Sequence, residues 1–160
     1  MAVDMFIKLD GIKGEAIDSK HKDEIDVLAW SWGISQSGTF HRGSGGGAGK
    51  ANVQDISLTK YIDKASAPLF KSCANGQHIK EALLTVRKAG KDPLEYITIK
   101  LSPVIVTNVS VGGSGGEDRL TENVTLNFGK VEYTYKSQKP DGSPGDTMPF
   151  SYDVQQNKVS

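Results

Sequence analysis

The sequence predicts a mainly β fold: a small barrel or sandwich with one helix over an end or side. Three observations predict it. Apolar and polar residues alternate at period two through most of the 160 residues. Only one stretch, KASAPLFKSCANG, carries helical spacing. Glycine-rich segments, at Gly43–Gly49 and Gly112–Gly116, fall between alternating stretches, as turns and loops do. The length suits one domain, 1–160, able to bury a real core, and no internal repeat divides it.

The elements follow in order. Ala2 to Lys8 reads as a strand. Ile25 to Gln36, IDVLAWSWGISQ, is the most informative. One of its faces carries Leu28, Trp30, Trp32 and Ile34 and is expected to pack in a core. The other carries Val27, Ala29, Ser31, Gly33 and Ser35. Such a face can lie under close-packed neighbours or line a smooth wall facing water. Asn52 to Ile62 sets Ile56, Leu58 and Ile62 against Asp55, Ser57 and Thr59.

The helix has Ser66 as its expected N-cap, Pro68 in its first turn and Gly76 after its last. Leu69, Phe70 and Cys73 are expected to face inward. Ala82 to Lys88 and Leu94 to Val111 are strands joined by the hairpin turn AGKDP, with Gly90 and Pro93. The second is too long for one straight strand, so Pro103 is expected to interrupt it or mark an unpaired position. In Thr121 to Tyr135 the apolar phase shifts. Val124, Leu126 and Phe128 precede Gly129, and Val131, Tyr133 and Tyr135 follow it. That shift predicts a β-bulge or sharp bend near Gly129 and Lys130. Pro149 to Gln155 is the last strand.

Charge and composition exclude several classes. Lys plus Arg and Asp plus Glu are both 19, a formal net charge of zero. Nucleic acid and anionic membrane surfaces are therefore not expected partners. No segment approaches the ~18 consecutive apolar residues of a membrane span, so no membrane insertion is expected. The start, MAVDMFIKLDGIKGE, is not a secretory signal. The single Cys73 fits a reducing compartment.

Enzyme-like motifs fail on context. GSGGGAGK lacks the hydroxyl of a phosphate loop, since Ala51 stands where Ser or Thr is needed, and a strand follows instead of a helix. G-x-S-x-G around Ser114 resembles a nucleophile elbow, but His21, His41 and His78 all precede it. Cys73 in an apolar helical stripe reads as an inert thiol. The histidines lack metal-ligand spacing. Trp30 and Trp32 share their face with Leu28 and Ile34, which favours a core over sugar or base stacking. EAIDSKHKDEID, with both signs interleaved, reads as a solvated loop. No catalytic residue, cofactor or metal is expected.

MAVDMFIKLDGIKGE, IDVLAWSWGISQSG, GGGAGKANVQDISLTKYIDKAS and GGSGGEDRLTENVTLNF closely resemble the haemolysin-coregulated protein family, Hcp, of bacterial type VI secretion systems. The resemblance runs from Met1 to about Tyr135 and continues weakly beyond. It implies a small β-barrel of two sheets with one flanking α-helix, assembled as a homohexameric ring with a wide channel. Rings would stack into a tube inside a contractile sheath, tipped by a spike protein and expelled from the cell. Small secreted effectors would ride in the channel, chaperoned by the ring. Assembly would begin in the cytoplasm and end outside the cell without a cleaved leader. At 160 residues no fused toxin domain is expected. The match of AWSW implies that Ser31 lies in the channel and affects cargo binding. Ala29, Gly33 and Ser35 are the neighbouring candidates for the channel wall. The segment His41, Arg42, Gly43, Ser44, Gly45, Gly46, Gly47, Ala48 and Gly49 resembles the family's extended loop, which reaches the adjacent ring.

Overall fold

Two strands, each far longer than the usual five or six residues or so, organise the molecule. The computed structural model describes residues 3–41, 43, 46–47, 49–90 and 93–160. The long strands are β9 (Glu95–Val111) and β10 (Thr121–Gln138), paired antiparallel along nearly their whole length. Beyond β9 lie β8 (Ala82–Lys88), β1 (Val3–Leu9) and β2 (Ile25–Asp26) in sheet order. Beyond β10 lie β11 (Pro144–Asp153) and β12 (Lys158–Val159). The first half of β10 also pairs with β6 (Ile56–Tyr61), which pairs with β3 (Ala29–Ser31). β4 (Ile34–Ser35) and β5 (Asn52–Val53) form a separate ladder, and β7 (His78–Ile79) borders β9. The fold is mainly β with one helix, α1 (Ser66–Asn75), as the sequence predicts.

The expected barrel needs correction. The Val27 N–H donates to the Met5 carbonyl at 2.9 Å, and the next N–H, of Leu28, donates to Thr59 at 2.8 Å. The chain thus leaves β1 and joins β6 within one peptide. β1 and β6 approach through this corner without sharing a ladder, so the sheet is not closed into a barrel. The corner also breaks the expected strand Ile25–Gln36 into β2, β3 and β4 and resets its phase. Val27 is buried and Leu28 is 40% exposed, the reverse of the expectation. Trp30 and Trp32 pack half-buried against the core as expected, whereas Ile34 leaves with β4 and is exposed.

The apolar phase shift at Gly129 is real but needs no inserted residue. Phe128, Gly129 and Val131 are all buried, yet the register runs unbroken from Phe128 opposite Val104 to Lys130 opposite Ser102. The phase changes because β10 changes neighbours, from β6 up to Leu126 to β11 from Lys130. β9 switches at the same level, from buried Leu101 to buried Val104. Pro103 does not interrupt β9; it sits between the segments paired with β8 and β7. Register shifts fall elsewhere: between Lys136 and Gln138 against β11, between Val86 and Arg87 against β9, and between β10 and β9 near Thr107. Thr125 pairs with Asn108 and Leu126 with Val106, so Thr107 is the extra residue. The final strand starts earlier than expected, at Pro144.

The helix ends as predicted, with Gly76 left-handed at φ 67°. Ser66 is its first helical residue rather than its N-cap, which is Ala65. The Ser66 hydroxyl is instead committed to Glu122 at 2.7 Å. Leu69 is buried and Cys73 half-buried, but Phe70 is exposed. Phe70 lies about 100° round the helix from Leu69 and cannot share its inward stripe.

The charged run EAIDSKHKDEID, residues 15–26, is not a solvated loop: it leads into β2 at Ile25. Residues 10–24 form a strap over the outer face of β1 and β8, where Phe6, Thr85 and Arg87 need cover. Ala16 and His21 are buried in it. The His21 ring stacks on Phe6, 4.5 Å between centroids and 9° from parallel. Its Nδ1 lies 2.9 Å from Glu24 and its Nε2 2.8 Å from Glu95. Arg87 grips Asp18 with both terminal nitrogens. The hydrogen bond from Arg87 holds the Asp18 carboxyl at about 2, against an ordinary 3.8. A carboxylate depressed on folding stabilises above its ordinary value, and that contribution is lost as pH falls toward the depressed one. The urea midpoint should therefore fall more steeply in the wild type than in Asp18→Asn as pH drops from about 4 to 2. Parallel curves would show that the strap does not depend on this pair.

Candidate functional site: a polar wall and a projecting arm

Four strands present one outward face whose other side is the core. In β3, β6, β10 and distal β9, registered neighbours form two rows. The first is Ser31, Ser57, Thr125 and Asn108; the second is Ala29, Thr59, Asn123 and Ser110. Six of these eight are exposed, and Thr59 and Thr125 are half-buried. None is charged. The Thr59 hydroxyl donates to Asn123 at 2.9 Å. At the margin, Asp55 accepts from the Thr107 hydroxyl at 3.0 Å and the Asn127 amide at 2.7 Å, so the bulge residue orients the nearest carboxylate. Beneath the wall Ile56, Leu58, Val124, Leu126 and Val106 are fully buried, which makes it a stiff platform.

The structure brings Ser31 and Ala29 together in this wall. Gly33 and Ser35 lie outside the two rows: Gly33 is half-buried against Gln54, and Ser35 is exposed on β4 opposite Asn52. Sequence reasoning missed the other six wall positions. The signal was present for four of them: Ser57 and Thr59 on β6 and Asn123 and Thr125 on β10 alternate with core residues, and none is Lys or Glu, the usual occupants of a solvated face.

The glycine-rich segment forms the end of an arm. Ile34 pairs with Val53 and Ser35 with Asn52. The Gln36 amide donates to the Gly49 carbonyl at 2.7 Å. Further out, the Thr39 hydroxyl accepts from the Gly47 N–H at 2.9 Å and donates to the Gly47 carbonyl. Phe40 is 83% exposed and His41 is exposed beside it. Gly43, Gly46, Gly47 and Gly49 belong to this arm; Arg42, Ser44, Gly45 and Ala48 lie outside the described residues.

The remaining candidates sit apart. The Ser114 hydroxyl accepts from the Gly116 N–H at 3.4 Å in a glycine turn. His21 is held in the strap, His78 pairs opposite Ile105 on β7, and Cys73 packs against the core from α1. Among the described residues no helix is long and apolar enough to cross a membrane.

Residues 6–135 match the family model described as type VI secretion system effector, Hcp. The chain belongs to the Hcp family. It is 57% identical over 159 residues to Protein hcp1 of Pseudomonas aeruginosa, covering 98% of each. The solved structure of a type six secretion system protein superposes with TM-score 0.94 at 31% identity, over 99% of this chain and all of that one. Hcp1 from Salmonella typhimurium gives TM-score 0.82 at 39% identity over the whole of both chains. As an Hcp protein the chain is a type VI secretion tube protein, a secreted structural component.

Proposed function

We propose that six copies of this chain close into a ring whose channel is faced by the two uncharged rows containing Ser31 and Ala29. Rings stack through the arm into a tube that carries small secreted effectors and acts by assembly, without catalysis. A spike protein at the tip and a contractile sheath outside complete the machine, which assembles in the cytoplasm and delivers the tube from the cell. One observation carries the reading: the polar wall has two unlike free edges. Among the described residues β3 pairs only with β6, and β9 beyond Ile105 pairs only with β10. Strand edges left unpaired invite pairing with another chain. A contact between unlike edges is heterologous and generates a ring when its rotation closes. A six-subunit mass by light scattering on a sizing column tests it; a monomer throughout the micromolar range overturns it.

The wall makes a second expectation. Small hydroxyl and amide groups give weak contacts that sixfold repetition multiplies. Ser31→Gln puts six longer side chains over Ser57. The ring mass should stay unchanged while co-purifying effector falls about tenfold, the equivalent of ~1.4 kcal/mol. Undiminished effector in intact rings would remove Ser31 from the cargo surface.

A further inference from the structure

Four apolar side chains are left uncovered at the end of the sheet opposite the arm. Leu28, Ile62, Val111 and Leu120 are 36–50% exposed. Their register places them on one side. Val111 is opposite Glu122, the Ile62 N–H bonds Leu120, and the Leu28 N–H bonds Thr59. They lie on the core side at and just beyond the level of Lys60 and Glu122, which form a buried ion pair. The arm leaves from the other end of the same ladder, at Ile56 opposite Leu126. Six paired residues separate the two, about 20 Å at 3.3 Å per residue.

The arm and the loop beside the apolar end carry opposite charge. From Gln36 to Ala51 the arm has no acidic residue, and His41 and Lys50 are exposed on it. The glycine loop bordering the apolar end carries exposed Glu117 and Asp118. The neighbouring Arg119 is turned away, its guanidinium stacked 4.0 Å above the Tyr61 ring. An isolated exposed phenylalanine on an otherwise polar arm has the chemistry of an anchor.

We infer that Phe40 of one copy seats on Leu28, Ile62, Val111 and Leu120 of a copy in the next ring, with the cationic arm beside Glu117 and Asp118. The contact is head to tail, so it repeats along a tube without closing. This rests on the stacked-ring reading, and the test separates the two. His41→Cys and Glu117→Cys, beside the anchor and its seat, are combined in a Cys73→Ser background that keeps Phe40 and all four apolar residues, and oxidised. Covalent ladders longer than six subunits on a denaturing gel are expected, since only contacts between rings extend past one ring. Rings of normal mass whose ladder stops at six, or that stay uncrosslinked, overturn the contact and leave the ring standing. A monomeric mass overturns both. In a second arm, Phe40→Ala should raise the concentration needed for tube formation more than about tenfold. Lys50→Glu should weaken stacking, and Glu117→Lys with Asp118→Lys should restore it. Unchanged tube formation in Phe40→Ala, or no rescue by the charge swap, counts against the inference.

Discussion

Lys60→Met is expected to destabilise the fold by about 3–5 kcal/mol, the cost of stranding a buried charge. Lys60 is 1% exposed, and the side chains of Glu122 and Asp63 are 0% and 6% exposed. The ammonium bonds both, reaching Asp63 at 2.9 Å. Methionine keeps the stem's volume and removes the charge, which leaves two carboxylates facing each other out of water. One of them already has an oxygen, Glu122 Oε2, that is buried without a partner. The lesson of buried ion pairs is that losing one member costs far more than losing the pair. Lys60→Met with Glu122→Leu should therefore recover most of the loss, because Asp63 keeps its bond from the Ala65 N–H at 2.9 Å. Urea unfolding with an unchanged slope is the measurement. A double variant as unstable as Lys60→Met would mean that the network, and not the stranded charge, sets the stability.

The same pair shows how far the sequence can be read. Lys60 stands in phase with Ile56, Leu58 and Ile62, and Glu122 in phase with Val124, Leu126 and Phe128. Each is a charge on an apolar face. What period-two reading lacks is the register that sets them together across 62 positions of chain. The class of fold, the helix and its glycine end, and the polar face around Ser31 were all legible because they depend on local spacing. The corner at Val27–Leu28 was not. Nothing in VL distinguishes a strand that continues from one that changes partner, and the change turned Val27 into the core. The strap was misread for a related reason. Interleaved charge suggests water until Arg87 and Glu95, distant in sequence, are seen to supply partners to Asp18 and His21. The wall was legible only in its first strand, since its other positions join Ser31 through pairing.

Gly14→Ala is expected to cost about 3 kcal/mol, the upper part of the range for forcing atoms into filled space. The strap crosses itself here. The Gly14 N–H bonds the Asp23 carbonyl at 2.8 Å and the Ala16 N–H bonds Glu24 at 2.9 Å. A Cβ on Gly14 would clash with the Glu24 carbonyl oxygen and lie 2.7 Å from the Ile25 Cα. Neither neighbour can rotate away, because both are backbone. Ile25 is itself 1% exposed and paired with Ile7, so relief must come from lifting the strap or from moving β2 off β1. Either response uncovers Phe6 and Arg87. Gly11→Ala is the natural control: its φ of 81° strains any side chain, but nothing lies within 4 Å of the new carbon. Strain without a clash should cost only about 1–2 kcal/mol. Urea midpoints order the two variants, and amide exchange should report lost protection at Ala16 and Asp23 in Gly14→Ala alone. If the two were equally stable, the strap's limbs would have to part easily, and the packing of His21 on Phe6 would contribute little to holding it down.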